Sequence, residues 1–119
     1  MQSLNKVELT GIVTGIRTEK VGETTVTLLS VATTYAYRSN SGEPIIETID
    51  HKVTVWDSPK TADAARTAKG HAVTLSGRLR SFCFTNSNGT ETIRTEIYAQ
   101  SFTDLILRNG TERIDPEYI

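Results

Sequence analysis

The sequence has few of the residues that build disulfide-linked or metal-bound domains. Cys83 is the only cysteine, which excludes an internal disulfide and a zinc site made of cysteines. No long apolar run is present, and the mean hydropathy is -0.28. The first residues also lack the apolar core of a signal peptide. These absences favour a soluble cytoplasmic protein.

The chain also lacks an excess of charge of either sign. Its 13 Lys and Arg residues oppose 14 Asp and Glu residues, so the net charge is -1. Proteins that bind nucleic acids usually carry a basic patch, and the total charge alone therefore argues against that class. The arrangement is less even, because residues 64–90 contain no Asp or Glu. The cations of that stretch are Arg66, Lys69, Arg78 and Arg80.

A length of 119 residues fits one domain that is large enough to form a hydrophobic core. Thr, Val and Ile are spread along most of the chain and favour strands. An alanine-rich segment with Pro59 at its start and Gly70 at its end predicts a helix of about three turns. The predicted segments are strands at Leu4–Val13 (continued after a kink over Ile16–Val21), Thr24–Tyr37 and Ile45–Trp56, the helix Lys60–Lys69, and strands at Ala72–Phe84 and Thr90–Leu107.

This order of segments predicts an all-β fold with one short helix. We expect a five-stranded Greek-key barrel of the OB type, with the helix between strands 3 and 4. Gly11 and Gly15 interrupt the first strand and predict a bulge or a sharp bend. The barrel is expected to occupy residues 1–107, and residues 108–119 are expected to form a short C-terminal tail.

Side chains alternate between the two faces of a strand, so each predicted strand divides into an inner and an outer set. The inner sets include Ile49, Cys83 and Ile93, and Cys83 is expected to be a small core residue. The outer sets include Lys52, Trp56, Arg78, Arg80, Phe82, Phe84, Arg94, Glu96 and Tyr98. Cations and aromatic rings therefore share the outer face of the predicted barrel.

Cations beside aromatic rings suit a single-stranded nucleic acid. Bases stack on aromatic rings at about 1–3 kcal/mol each. Arg and Lys neutralise phosphates and release counterions. Outer arginines are also often merely solvated, and outer phenylalanines often contact a partner subunit. The pattern alone leaves both interpretations open, because an OB-type barrel presents this face to several classes of ligand.

The sequence contains no motif that indicates catalysis. Asp50 and His51 are neighbours on a strand and face opposite sides, so they do not converge on one site. His71 is expected to lie in a loop. No phosphate-binding loop, nucleophile elbow or cluster of metal ligands is present in the sequence. We therefore expect no enzymatic activity, no cofactor and no metal site.

Several short segments, in order and with fitting spacing, resemble the bacterial single-stranded DNA-binding protein (SSB) family. They lie between Asn5 and Ile106 and so cover nearly the whole chain. The segments are Asn5–Gly11, Ser30–Thr34, Thr48–Val53, Lys69–Arg80 and Thr95–Ile97.

The resemblance implies roles for individual residues. Tyr37, Trp56 and Phe84 match positions at which the family stacks bases on aromatic rings. Lys52 and Arg80 match arginines of the family's motifs, and His51 matches a histidine that helps to hold the family's tetramer together. Together with the outer-face pattern, the predicted DNA-binding residues are Tyr37, Lys52, Trp56, Arg78, Arg80, Phe82, Phe84 and Arg94.

The resemblance implies a homo-oligomer, a tetramer or a dimer, that coats single-stranded DNA with little sequence preference. It implies a role in DNA replication, recombination or repair, a nucleoid-associated location in the cytoplasm, and replication or repair proteins as further partners. Two features depart from the family. Asp50 stands where the family has a tryptophan, and the long acidic-tipped tail is replaced by the ending Asp115-Pro116-Glu117-Tyr118-Ile119.

The short tail leaves one alternative open. An OB-fold interaction module of the primosomal or replication-restart type would bind partner proteins as well as DNA. The retained aromatic residues Tyr37, Trp56 and Phe84 favour direct DNA binding.

Overall fold

The computed structural model describes residues 2–108, which form a closed barrel of five strands. The elements are β1 (Val7–Val21), β2 (Thr24–Arg38), β3 (Pro44–Trp56), a 3₁₀ segment (Pro59–Ala65), β4 (Ala72–Thr85), β5 (Glu91–Asp104) and the single-turn helix α1 (Leu105–Arg108). The strand order around the barrel is β1-β2-β3-β5-β4. Neighbouring strands run antiparallel except β3 and β5, which are parallel.

This architecture confirms the predicted all-β OB barrel, with helical structure between strands 3 and 4. Within residues 2–108, no helix has the length and apolar character needed to cross a membrane. The ending Asp115-Pro116-Glu117-Tyr118-Ile119 lies outside the described residues.

The hydrophobic core fills the interior of the barrel with branched side chains from every strand. Alternate residues of each strand point inward, as the period of two requires. Ala64 of the 3₁₀ segment packs against the same core, so this segment covers part of the barrel. The core residues are Val13, Leu29, Val31, Val53, Val55, Ala64, Val73, Leu75, Ile97 and Phe102.

The helix prediction was correct in position and wrong in form. A 3₁₀ segment over Pro59–Ala65 replaces the helix expected over Lys60–Lys69, and its backbone leaves the helical region at Thr61. The hydroxyl of Thr61 donates a hydrogen bond to the carbonyl of Trp56 at 2.7 Å. Such a side-chain bond to the backbone competes with regular helical hydrogen bonding at Thr61.

Asp104 ends β5 three residues earlier than the predicted boundary at Leu107. Its buried carboxylate accepts hydrogen bonds from the N–H groups of Ile106 and Leu107, both at 2.9 Å, and so begins α1. Nδ1 of His71, the expected loop histidine, lies 2.8 Å from the same carboxylate. Burial opposes the charged form of Asp104, but hydrogen bonds from Thr67, the Leu107 N–H and His71 outweigh it and lower the pKa of the carboxyl.

The expected inward positions were wrong at Ile49, Cys83 and Ile93. All three side chains are exposed, and Ile93 is 72% exposed. β2 and β3 remain paired as far as Arg38 and Pro44, well beyond the last pair between β1 and β2. The β4–β5 hairpin likewise continues past its pairing with β1. These two-stranded extensions are the β2–β3 arm and the β4–β5 arm. Apart from Ile97, which reaches the core from the base of the β4–β5 arm, their side chains turn no face toward a core.

Gly77 permits a close crossing of β4 and β5 at the base of the β4–β5 arm. The strand register shifts between Ser76 and Gly77. A Cβ atom at position 77 would overlap the backbone carbonyl of Tyr98, which cannot move without disturbing β5. Gly77 therefore fixes the start of the segment that carries Arg78 and Arg80.

We expect Gly77→Ala to lower the free energy of unfolding by about 3 kcal/mol or more, because the added methyl group displaces backbone. Urea denaturation followed by circular dichroism measures this loss. Gly15→Ala is the matched control, since the nearest atoms to its new Cβ lie 3.9 Å away in Ser30. Equal and small losses for the two variants would show that the crossing tolerates a side chain.

Candidate nucleic-acid interface

A groove of about 500 Å³ lies on the outer side of β1, β2 and β3 and is bounded by β5. In OB barrels the face of strands 2 and 3, between the β1–β2 and β4–β5 loops, is the surface that binds oligonucleotides. The groove occupies this place. Its lining residues are Gly15, Ile16, Arg17, Leu28, Leu29, Ser30, Lys52, Val53, Thr54, Arg94 and Glu96.

A β-bulge decides which β1 side chains face this groove. Val13 is buried, so regular alternation would also turn Arg17 inward. Thr14 is the extra residue between the pairs Val13↔Val31 and Gly15↔Ser30, and it reverses the alternation. Arg17 consequently lies opposite Leu28 on the outer face. The sequence indicated an interruption near Gly15, but not this reversal, so Arg17 was missed as a site residue.

Lys52 and Arg94 supply cations to the groove from two different strands. Nζ of Lys52 donates a hydrogen bond to the hydroxyl of Ser30 at 3.0 Å, which holds the ammonium group above β2. The guanidinium of Arg94 lies 4.9 Å from the centre of the Phe84 ring. Arg94 therefore joins the groove to the aromatic surface of the β4–β5 arm.

Tyr98 organises the cations at the base of the β4–β5 arm. The guanidinium carbons of Arg78 and Arg80 lie 5.7 and 4.7 Å from the centre of its ring. Arg80 also donates a hydrogen bond to the Tyr98 hydroxyl at 2.6 Å. These contacts place the two arginines over an aromatic face, where the ring attracts them. Alternation placed Tyr98 outward, but only the pairing Arg78↔Tyr98 reveals its central position.

The remaining aromatic residues continue the same surface. Phe82 and Phe84 lie two residues apart on β4, and their ring centres are 6.4 Å apart. Trp56 ends β3 with 39% of its surface exposed. It shares the outward alternation of Lys52 and Thr54. Seven of the eight predicted DNA-binding residues thus lie in or beside the groove or on the arm next to it.

Comparison with known proteins identifies the family of this barrel. The model of the single-strand binding protein family matches residues 4–105. The chain belongs to that family.

Solved SSB structures share the fold. A Plasmodium falciparum SSB in complex with ssDNA is 26% identical, with a TM-score of 0.77 over 87% of this chain and 94% of that chain. A deletion mutant of the single-stranded DNA binding protein from Thermus aquaticus has a similar fold, with a TM-score of 0.72. It is 19% identical, over 86% of this chain and 50% of that chain. A comparison with curated proteins found no match.

Tyr37 is the predicted residue that the SSB fold does not bring to the groove. It pairs with Ile45 near the tip of the β2–β3 arm. Tyr37 lies seven positions after Ser30 on β2, which is roughly 23 Å along a strand. Its ring centre lies 5.8 Å from that of Tyr35, and its hydroxyl donates to Glu47 at 3.1 Å. The two tyrosines form a separate aromatic surface.

Asp50 and His51 lie on opposite sides of β3, as alternation predicts. The exposed carboxylate of Asp50 accepts a hydrogen bond from the hydroxyl of Thr14 at 2.9 Å, which anchors it beside the bulge of β1. Nε2 of His51 lies 2.8 Å from the hydroxyl of Thr33, and the ring is partly buried. The acid that stands in place of the family's tryptophan is therefore held close to the groove.

Proposed function

We propose that the groove and the adjoining face of the β4–β5 arm form the surface through which this chain binds single-stranded DNA. The interleaving of cations and aromatic rings carries this proposal. It is seen most directly at Arg94, which lines the groove and also lies 4.9 Å from the centre of the Phe84 ring. Stacking on rings and neutralisation of phosphates both tolerate any base, so we expect little sequence preference.

Bases stack on Trp56, Phe82 and Phe84 in this proposal. These rings are only partly covered by protein, so each has surface left for a base. Arg94 lies over one face of the Phe84 ring, which directs a base to the other face. Each stack contributes about 1–3 kcal/mol, a contribution that salt does not screen.

Phosphates are neutralised by cations along the edge of this surface. Arg17 pairs with Glu19 at 3.0 Å, but its side chain is 70% exposed, and such surface pairs are weak enough for a phosphate to displace. The proposed phosphate contacts are Arg17, Lys52, Arg78, Arg80 and Arg94. Their clustering gives a chain of net charge -1 a local basic patch.

A longer DNA strand would reach the β2–β3 arm, where Tyr35 and Tyr37 offer a second stacking surface. We further propose that the protein is a homo-oligomer, a tetramer or a dimer, with His51 at the interface. The exposure of Ile46 and Ile49 on β3, at 69% and 52%, supports an association through this arm. The proposed setting is DNA replication, recombination or repair at the nucleoid, with replication or repair proteins as partners and no catalytic step.

Trp56 allows a direct test, because it is the only tryptophan of the chain. Titration with oligo-dT at low salt should strongly quench its fluorescence, since a base stacks on the indole ring. Trp56→Phe, followed by the anisotropy of a labelled oligonucleotide, should retain binding through the other rings. If neither signal changes at low salt, the chain does not bind DNA through this surface, and the interaction-module alternative is favoured.

Phe84→Ala should weaken binding of oligo-dT by about 1–3 kcal/mol while leaving the fold intact, because one stacking ring is lost. Ile93→Ala is the matched control. Ile93 is an exposed apolar residue of the same arm and pairs with Cys83, on the face opposite to Phe84. Equal affinities for Phe84→Ala and the unchanged protein would place the DNA path away from the arm.

A further inference from the structure

Arg80 and Glu96 lie directly opposite each other on β4 and β5, yet they do not form an ion pair. The two residues are partners in the strand register. Opposite charges that face each other across two antiparallel strands normally attract and pair. Within residues 2–108, none of the ion pairs involves either side chain. Other contacts therefore occupy both side chains.

Tyr98 provides the contacts that hold Arg80. Nη1 of Arg80 donates a hydrogen bond to the Tyr98 hydroxyl at 2.6 Å. The guanidinium carbon also lies 4.7 Å from the centre of the ring, within the range of a cation–π interaction. Tyr98 follows Glu96 by two residues on β5, so both side chains lie on the face that carries Arg80. Arg80 thus makes two contacts with Tyr98 in place of an ion pair with Glu96.

Glu96 is better placed to retain an arginine than the other acid beside the groove, Glu19. The hydroxyl of Thr54 donates a hydrogen bond to Oε1 of Glu96 at 3.0 Å, and Thr54 is only 5% exposed. Glu96 is half-buried, whereas the Glu19 side chain that pairs with Arg17 is 47% exposed. A carboxylate that is already held in place loses less entropy on pairing, and partial burial reduces screening. An arginine paired with Glu96 would therefore be released to a phosphate less readily than Arg17.

We propose that Tyr98 is a positioning residue, which keeps Arg80 away from Glu96 and so leaves it available to a phosphate of single-stranded DNA. This inference rests on the proposed function. The Tyr98 hydroxyl is uncharged, so Arg80 is held in place without being neutralised. A guanidinium has five N–H donors, and the bond to Tyr98 uses one of them. Tyr98 acts through Arg80 and needs no contact with the DNA itself.

Tyr98→Phe tests this inference, because it keeps the ring and removes the hydroxyl. Arg80 should then turn to Glu96, so the dissociation constant for oligo-dT at low salt should rise by about two- to fivefold. The log–log salt slope should become shallower by up to about 0.7, the share of one phosphate of a single strand. Ser81→Ala is the matched control. It removes a hydrogen bond of 2.7 Å to the Thr95 hydroxyl on the opposite face of the same arm and should change neither quantity.

Two second-site variants separate a positioning role from a purely structural one. In a Glu96→Gln background Tyr98→Phe should cause no loss of affinity, because the competing charge is absent. In an Arg80→Ala background it should also cause no loss, because the positioned arginine is absent. No effect of Tyr98→Phe in the otherwise unchanged protein, an unaltered salt slope, or equal losses in all three backgrounds would overturn the inference. Failure of the unchanged protein to bind oligo-dT would instead overturn the proposed function.

Discussion

The closure of the barrel is the constraint on which the rest of the structure depends. β3 and β5 close it through only two residue pairs, Val53↔Ile97 and Thr54↔Tyr98. Both hairpins continue beyond the barrel as two-stranded arms. The same pairs bring Lys52 and Thr54 of β3 beside Glu96 and Tyr98 of β5, which are more than forty residues away in the sequence. Closure thus creates the groove, and the aromatic residues of the arms stay at least partly exposed beside it.

The architecture and most of the outer face could be predicted, because strands, turns and alternation are local properties of the sequence. Alternation placed Arg78, Arg80 and Phe84 outward without knowledge of their partners. It failed at Cys83 and Ile93, because alternation specifies a face and not whether a core lies against it. Arg17 was missed because one bulged residue reverses the pattern of β1. Pairings such as Arg78↔Tyr98 require the fold itself.

The segment between β3 and β4 takes part in contacts with residues distant in the sequence, which the local sequence does not reveal. Alanines and Pro59 favour a helix, but Asp63 accepts a hydrogen bond from the Asp104 N–H at 2.9 Å, a contact across 41 residues. Arg108 donates to the same carboxylate at 3.0 Å.

These buried acids also explain why the net charge of the chain is a poor guide to its surface. Asp63 and Asp104 count toward the net charge of -1, but both are buried and do not line the groove. Their carboxylates accept hydrogen bonds within the fold.

The central claim is that affinity for DNA depends on stacking and on a few clustered cations, and not on net charge. The salt dependence of oligo-dT binding tests it most directly. Five cations, Arg17, Lys52, Arg78, Arg80 and Arg94, at about 0.7 each predict a log–log slope no steeper than about -3.5 per subunit. Stacking should preserve measurable binding at about 1 M salt, where charges are screened within ~3 Å. A steeper slope, or loss of all binding at high salt, would contradict this account.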